Sequence, residues 1–169
     1  MIQQDYTAVG KGKSVEKRFQ LCIAVAQDAL HRLAGQLGRS RLPVPIELLA
    51  ESQGFQVIRL YTVAEEFSGL VSIRQRLIGT NGNHHRHRQR FSVAHELAHF
   101  LLRHPPESHC SRREIALYNS EADECAAELL IPQSLLTRSL SQTHSISVLA
   151  GIFDVSEEAM ERKIMNNQQ

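Results

Sequence analysis

Residues 91–102 constrain the fold most, because their apolar side chains surround a helix that also carries two histidines and a glutamate. Neither Gly nor Pro interrupts the segment, and apolar residues occupy most of its circumference, so a buried helix is predicted. His95 and His99 are four residues apart and therefore lie one above the other on one face. Glu96 projects about 100° around the helix axis from His95. This His-Glu-x-x-His spacing supplies two imidazole ligands for one metal ion and a carboxylate base beside it.

A catalytic zinc site usually has three protein ligands, so a third ligand is expected downstream of this helix. The next helix is predicted over 114–131, because apolar residues recur on one face and Pro132 stops it. Small alanines would let that helix approach the first one closely, which favours a ligand there. His104 follows the motif at a Pro-Pro break and is interpreted as a partly exposed helix-end residue. Spacing alone leaves the choice open among His104, His109, Glu121, Asp123, Glu124 and Glu128.

Length, composition and charge exclude several classes of protein. The 169 residues suit one domain, and 42% hydrophobic residues exclude wholesale disorder. Lys plus Arg total 19 and Asp plus Glu total 18, which denies the chain the positive field of a nonspecific nucleic-acid binder. No stretch approaches the roughly 20 apolar residues of a membrane span, and no secretory leader pattern begins the sequence. Three widely spaced cysteines without a Cys-x-x-Cys pair predict reduced thiols in a cytoplasm.

The remaining pattern predicts an α+β single domain over residues 14–166, with helices flanking a small, about three-stranded antiparallel sheet. Residues 1–13 lack apolar periodicity and are expected to form a flexible tail. A long amphipathic helix is predicted from Ser14 to an end marked by Gly35 and Gly38, and a shorter helix is predicted to stop near Gly54. Short connections between the strands indicate an antiparallel meander. The predicted strands lie near 55–60, 70–73 and 77–78, and the further short helices over 133–142, 146–153 and 156–165.

Residues 144–166 resemble a helix-turn-helix, with Ser156 as the N-cap of the second helix. A helix that enters the major groove should offer Arg, Asn, Gln or Lys near its N-terminus. This helix offers Glu157, Glu158 and Glu161 instead, which would face DNA phosphates unfavourably. The pair is therefore interpreted as a packing unit that closes the domain, and direct nucleic-acid binding is not predicted.

Two blocks of sequence together resemble the ImmA/IrrE family of metallo-endopeptidases. They are residues 88–99, RQRFSVAHELAH, and residues 121–132, EADECAAELLIP. The resemblance covers roughly residues 28–136, and it implies a zincin-like pair of active-site helices of the gluzincin type. In the family the first Glu of the second block is the third zinc ligand, and Glu121 occupies that position here.

The sequence departs from the family pattern at Asp123, where Asn is usual, and at Cys125, where Phe is usual. Asp123 and Glu124 are candidates to orient the imidazoles by hydrogen bonds from outside the metal site. Arg90 belongs to the family's Arg-Gln-Arg run and is a candidate for a structural ion pair or a substrate contact. The donor to a tetrahedral oxyanion stays open among Arg90, Tyr118, His104, His109 and His144.

The resemblance implies peptide-bond hydrolysis that depends on Zn²⁺, with Mn²⁺ as the alternative ion. His95, His99 and Glu121 would hold the ion, and Glu96 would take the proton of the attacking water. A peptide substrate would add as a strand at a sheet edge, at residues 67–73. The implied substrate is a DNA-binding repressor of the helix-turn-helix type, whose cleavage derepresses a stress-response, mobile-element or toxin–antitoxin operon.

The alternative is a non-catalytic regulatory protein that binds a repressor or DNA and contains a structural metal ion or none. The intact Glu96 argues against this alternative, because a structural metal site has no need of a base.

Overall fold

The computed structural model describes residues 11–166, with side chains from residue 16 onward, as helices packed around one small sheet. The α+β class predicted from the sequence is confirmed. In chain order the elements are α1 Lys11–Leu37, α2 Ile46–Ser52, β1 Gln56–Leu60, β2 Gly69–Ser72, β3 Leu77–Asn81, α3 Arg86–Leu101, a 3₁₀ turn Glu107–His109, α4 Arg112–Leu130, α5 Gln133–Leu140, α6 Ile146–Phe153 and α7 Glu157–Asn166.

Helix α1 begins at Lys11, three residues before the predicted cap at Ser14. Residues 11–13 are therefore helical, which corrects that part of the predicted tail, and residues 1–10 lie outside the described part of the chain. A polar first turn carries no apolar periodicity, so the sequence pattern could not mark this start. Gly38, with φ +70°, ends the helix in the left-handed conformation that glycine adopts without strain. The buried stripe of α1, which packs against α4, consists of Cys22, Ala26, Ala29 and Leu33.

The sheet has the predicted three strands, but its order is β1-β3-β2 and its pairing is mixed. Strand β3 runs antiparallel to β2 and parallel to β1, so the expected antiparallel meander is corrected. The segment 61–68 carries the chain beyond the position that β3 later fills, so the parallel pair forms without a crossover helix. Strand β2 is consequently an edge strand, and it lies against α3.

Helix α4 begins with a capping box, in which Ser111 and Glu114 satisfy each other's backbone N–H groups. The helix lies between α1 and α3, and small residues on its buried face allow both neighbours to approach closely. This packing brings the histidines of α3 against α4. The buried small residues of α4 are Ala122, Cys125 and Ala126.

The C-terminal helices join the same core through Phe153 and Met160, both fully buried. Lys163 on α7 donates a hydrogen bond to the carboxylate of Glu128 on α4, with Nζ and Oε2 2.9 Å apart. Both side chains are buried, so this ion pair fastens α7 to the body. Among residues 11–166, no helix has the length and apolar character needed to cross a membrane.

Candidate metal centre

Helix α3 brings His95 and His99 to one point, as their spacing predicts. Apolar residues of this helix, among them Val93 and Leu97, are fully buried and fix its rotation about its axis. The two imidazole rings then meet edge to face, with their Nε2 atoms 3.0 Å apart. The two imidazoles therefore lie close enough to bind one metal ion together.

Asp123 on α4 fixes the orientation of the His95 ring. Its Oδ1 lies 2.8 Å from His95 Nδ1, so the ring donates its Nδ1 proton to the carboxylate. The Nε2 atom of His95 then points toward His99. This carboxylate–histidine pair is the arrangement that raises the basicity of a metal-binding imidazole, and it matches the outer role expected for Asp123.

His104 fixes the His99 ring from the other side. Helix α3 ends in a Schellman turn: Arg103 has φ +58°, its N–H donates to Phe100, and the N–H of His104 donates to the carbonyl of His99. This turn folds the His104 side chain back over the helix end, where Nδ1 lies 2.9 Å from His99 Nδ1. The His104 ring also stacks on Tyr118, with centroids 4.6 Å apart.

Sequence reasoning set His104 aside as a partly exposed helix-end residue, whereas its side chain is only 5% exposed and contacts the site. The signal that could have found it is local. A Schellman turn places the second residue after the helix cap beside the third residue from the helix end, and Pro105 fixes where α3 must stop.

Glu121 is buried on α4, but its carboxylate forms hydrogen bonds with other side chains and does not contact the Nε2 atoms of His95 and His99. Oε2 lies 3.0 Å from His104 Nε2, and Oε1 accepts a hydrogen bond from Arg18 of α1. Among the described residues, no group of three or more His, Cys, Asp or Glu side chains is placed to hold a metal ion. The structure thus brings together two of the three predicted ligands, and Glu121 stands behind His104.

The pKa shifts and hydrogen bonds of His99 and His104 indicate which ring nitrogens carry protons. Burial, followed by the neighbouring His95 and His104, lowers the pKa of His99 to about 4, and burial also lowers the pKa of His104. Both rings are therefore neutral near pH 7. His104 donates from Nε2 to Glu121 and accepts at Nδ1 from His99, which leaves the His99 Nε2 lone pair free.

The Nε2 atoms of His95 and His99 thus face each other at 3.0 Å. Neutral imidazole is the form that binds a transition metal, and two Nε2 atoms this close together can bind one ion. The two histidines fit a divalent ion on this ground. Glu121 as placed does not complete the set.

Glu96 lies beside the edge of the sheet. Burial raises the pKa of its carboxyl, with a smaller opposing effect of His95, which is the direction expected for a general base poised to take a proton. Its side chain packs against Gly69 at the start of β2, where an added Cβ would come within 3.1 Å of Glu96 Cγ. Sequence analysis did not single out Gly69, because a lone glycine carries no signal about a neighbour distant in sequence.

The other candidates serve elsewhere. Arg90 donates to the carbonyls of Val44 and Asp154, both at 3.0 Å, and pairs with the Asp154 carboxylate, so it has the structural role. Glu128 accepts from Gln27 and from the backbone of Gln133 as well as from Lys163. Glu124 is half-buried without a recorded hydrogen bond, and His109 and His144 are exposed.

A metal-type histidine pair on a helix, a half-buried glutamate next to it and an adjacent sheet edge are typical of a metallopeptidase-like domain. The family model for the IrrE N-terminal-like domain, peptidase family M78, matches residues 50–165. The chain belongs to this family, as the two sequence blocks indicated.

A search of curated proteins gives no match. Among solved structures, a Mycobacterium tuberculosis transcriptional regulator is similar, with a TM-score of 0.63 and 14% sequence identity. The similarity covers 90% of this chain and 50% of that chain, so this chain spans about half the length of the regulator. At this identity the comparison establishes a shared fold.

Proposed function

We propose that this protein is a metal-dependent endopeptidase that cuts a protein substrate beside the edge of its sheet. One observation carries the proposal: the Nε2 atoms of His95 and His99 converge to 3.0 Å, and the half-buried carboxylate of Glu96 follows His95 on the same helix. A structural metal site needs no such base. His95 and His99 would hold Zn²⁺, with Mn²⁺ as the alternative.

A divalent ion bound there lowers the pKa of water and polarises a carbonyl. Glu96 would accept the proton of the attacking water on its carboxylate and pass it to the leaving amine. Burial supports this role, because a raised pKa makes the carboxylate a stronger base. Asp123 and His104 would keep the two imidazoles in the required tautomer and orientation.

The substrate would bind as an added strand on β2. This strand pairs only with β3 among the described strands, so its outer backbone groups are available to an extended peptide. Leu70 and Ile73 expose 39% and 49% of their surface along this stretch and offer apolar contacts to alternate side chains. Gly69 places the added strand next to Glu96.

Family resemblance suggests that the substrate is a DNA-binding repressor of the helix-turn-helix type. Its cleavage would derepress a stress-response, mobile-element or toxin–antitoxin operon. The transcriptional regulator that shares the fold supports a place in transcription control. The free thiols Cys22, Cys110 and Cys125 support a reducing, cytoplasmic setting.

The test uses the full chain loaded with Zn²⁺ and incubated with a repressor encoded beside it, with fragments measured by mass spectrometry. Glu96→Gln should abolish cleavage while metal content stays unchanged. Glu51→Gln, an exposed acid on α2, is the matched control and should cleave at the rate of the parent. Equal cleavage by Glu96→Gln and the parent would sink the proposal.

A second candidate is a non-catalytic regulator that binds a repressor. The engagement of Glu121 by Arg18 and His104 favours it, because that leaves two of the predicted ligands on the metal position. A reporter assay separates the two functions. A Glu96→Gln variant that relieves repression as fully as the parent supports the regulator, and a variant that relieves none supports the peptidase.

A further inference from the structure

Two contacts identify the face of α4 that lies against His95 and His99. Asp123 accepts a hydrogen bond from His95, and the Asn119 side chain lies near enough to His99 to influence its pKa. These two α4 residues are four apart and lie only about 40° from each other around the helix. The two positions therefore define one stripe that faces the two metal-binding histidines.

Glu121 is two residues from each of them and points about 160° away from that stripe. The contact with α1 agrees with this direction, because Arg18 of α1 donates a hydrogen bond to the Glu121 carboxylate. The backbone of a regular helix would have to rotate or unwind for Glu121 to replace Asn119 on the α3 side. Helix α4 has no such break over Arg112–Leu130.

Glu121 nevertheless reaches the site indirectly. It accepts from His104 Nε2, and His104 Nδ1 accepts from His99 Nδ1. The Glu121, His104 and His99 side chains thus form a relay that parallels the direct pair of Asp123 with His95. Each metal-binding histidine has its own buried or bonded carboxylate support, one direct and one through a second imidazole.

We propose that Asn119 occupies the third-ligand position on α4 and that Glu121 is a positioning residue, which orients His99 through His104. The inference rests on the proposed function for the identity of the histidine pair as metal ligands. Its consequence is chemical: a neutral amide oxygen stands where a carboxylate would bind an ion more strongly, so this chain binds Zn²⁺ more weakly than a version with an acid at 119.

The first experiment measures Zn²⁺ affinity by competition with a chromogenic chelator, using Zn²⁺ alone as the probe and no substrate. Asn119→Asp is nearly isosteric and should raise the affinity by roughly tenfold or more, the scale on which even outer-shell partners act. Ser120→Asp adds the same charge at an exposed neighbour outside the stripe, and should change the affinity much less. Asn119→Glu supplies a longer carboxylate should the shorter one fall short of the ion.

If neither acid at 119 raises the affinity above that of Ser120→Asp, the assignment of Asn119 is overturned. Co²⁺ substitution gives a second readout, since a new carboxylate ligand alters the visible absorption of the ion whereas a distant charge does not. An unchanged spectrum in both variants would have the same meaning as unchanged affinity.

The second experiment is a double-mutant cycle on Zn²⁺ affinity with Glu121→Gln and His104→Phe, where Phe retains the stacking on Tyr118. A residue that acts through His104 has nothing left to act through once His104 is gone. The double variant should therefore lose no more affinity than the worse single variant. Losses that multiply, with Glu121→Gln as harmful as His99→Ala, would identify Glu121 as a direct ligand and overturn the inference.

Glu161→Gln, which removes an exposed acid on α7 outside the relay, is the control for both series. Circular dichroism of every variant checks that the helices are retained. Because no step requires cleavage, failure of the proposed peptidase activity leaves these outcomes readable on their own.

Discussion

Replacing Lys163 with Met should destabilise the protein by about 3 kcal/mol, because it leaves the buried Glu128 carboxylate without its cation. The two side chains are only 7% and 1% exposed and are joined at 2.9 Å. Breaking a buried pair from one side typically costs about 3–5 kcal/mol. The lower end applies here, since Gln27 and the backbone of Gln133 continue to donate to Glu128.

Urea unfolding followed by far-ultraviolet circular dichroism measures the free energy, and the melting temperature should fall by roughly 6–12 °C. Arg162→Met is the matched control on the neighbouring position. Its partner Glu158 is 80% exposed, so a loss of less than about 0.5 kcal/mol is expected. The double variant Glu128→Gln with Lys163→Met should recover most of the stability, because it removes both charges and keeps an acceptor for Gln27 and Gln133. A Lys163→Met loss below about 1 kcal/mol, or a double variant no more stable than the single one, would refute the reasoning.

Three further predictions concern the pH dependence of stability, the sheet edge beside Glu96 and the binding of Zn²⁺. Hydrogen bonding from Arg86 lowers the pKa of the Asp154 carboxyl. This carboxylate therefore stabilises the fold above its ordinary pKa of about 4, and the contribution is lost as the pH falls through the lowered pKa. Unfolding free energy measured against pH should therefore drop less steeply on acidification in Asp154→Asn, and parallel curves would contradict this. Gly69→Ala should lower peptidase activity roughly tenfold or more while metal affinity is kept, because the new methyl group displaces Glu96; full activity would exclude the close contact. Adding Zn²⁺ at about 100 times its dissociation constant should stabilise the parent by about 2.7 kcal/mol in thermal or urea unfolding, whereas His95→Ala should show little shift, and an equal shift would place the ion elsewhere.

Local periodicity was sufficient for most of the helical framework. His95 and His99 are four residues apart on one helix, so they share a face whatever the rest of the fold looks like. The stops at Pro132 and Gly38 are likewise local, and both helices end where those residues predict. The sheet order was not accessible in this way. Short connections favour neighbouring pairs, and the insertion of β3 between β1 and β2 depends on contacts across the whole domain.

In the candidate site too, the sequence predicts some residues from local pattern, and others become visible only in the folded structure. Asp123 was named among the outer groups, and it does orient His95. His104 was discounted because its place follows from the left-handed turn at Arg103, where glycine is the usual signal. Asn119 was passed over because an amide attracts no attention in a search for acids and imidazoles. Its relation to Asp123, four residues on, was the available clue, and only the helix rotation seen in three dimensions gives it meaning.

The contact between Arg18 and Glu121 joins α1 to the histidine relay, and α1 lies wholly outside the segment 50–165 that defines the family. A fragment trimmed to that segment would retain every residue of the His-Glu-x-x-His motif and of α4. It would lose the cation that holds Glu121, and with it the buried stripe that covers α4. Residues 50–165, which match the family model, are therefore a shorter segment than the one needed to hold the histidine relay in place, because that segment includes α1.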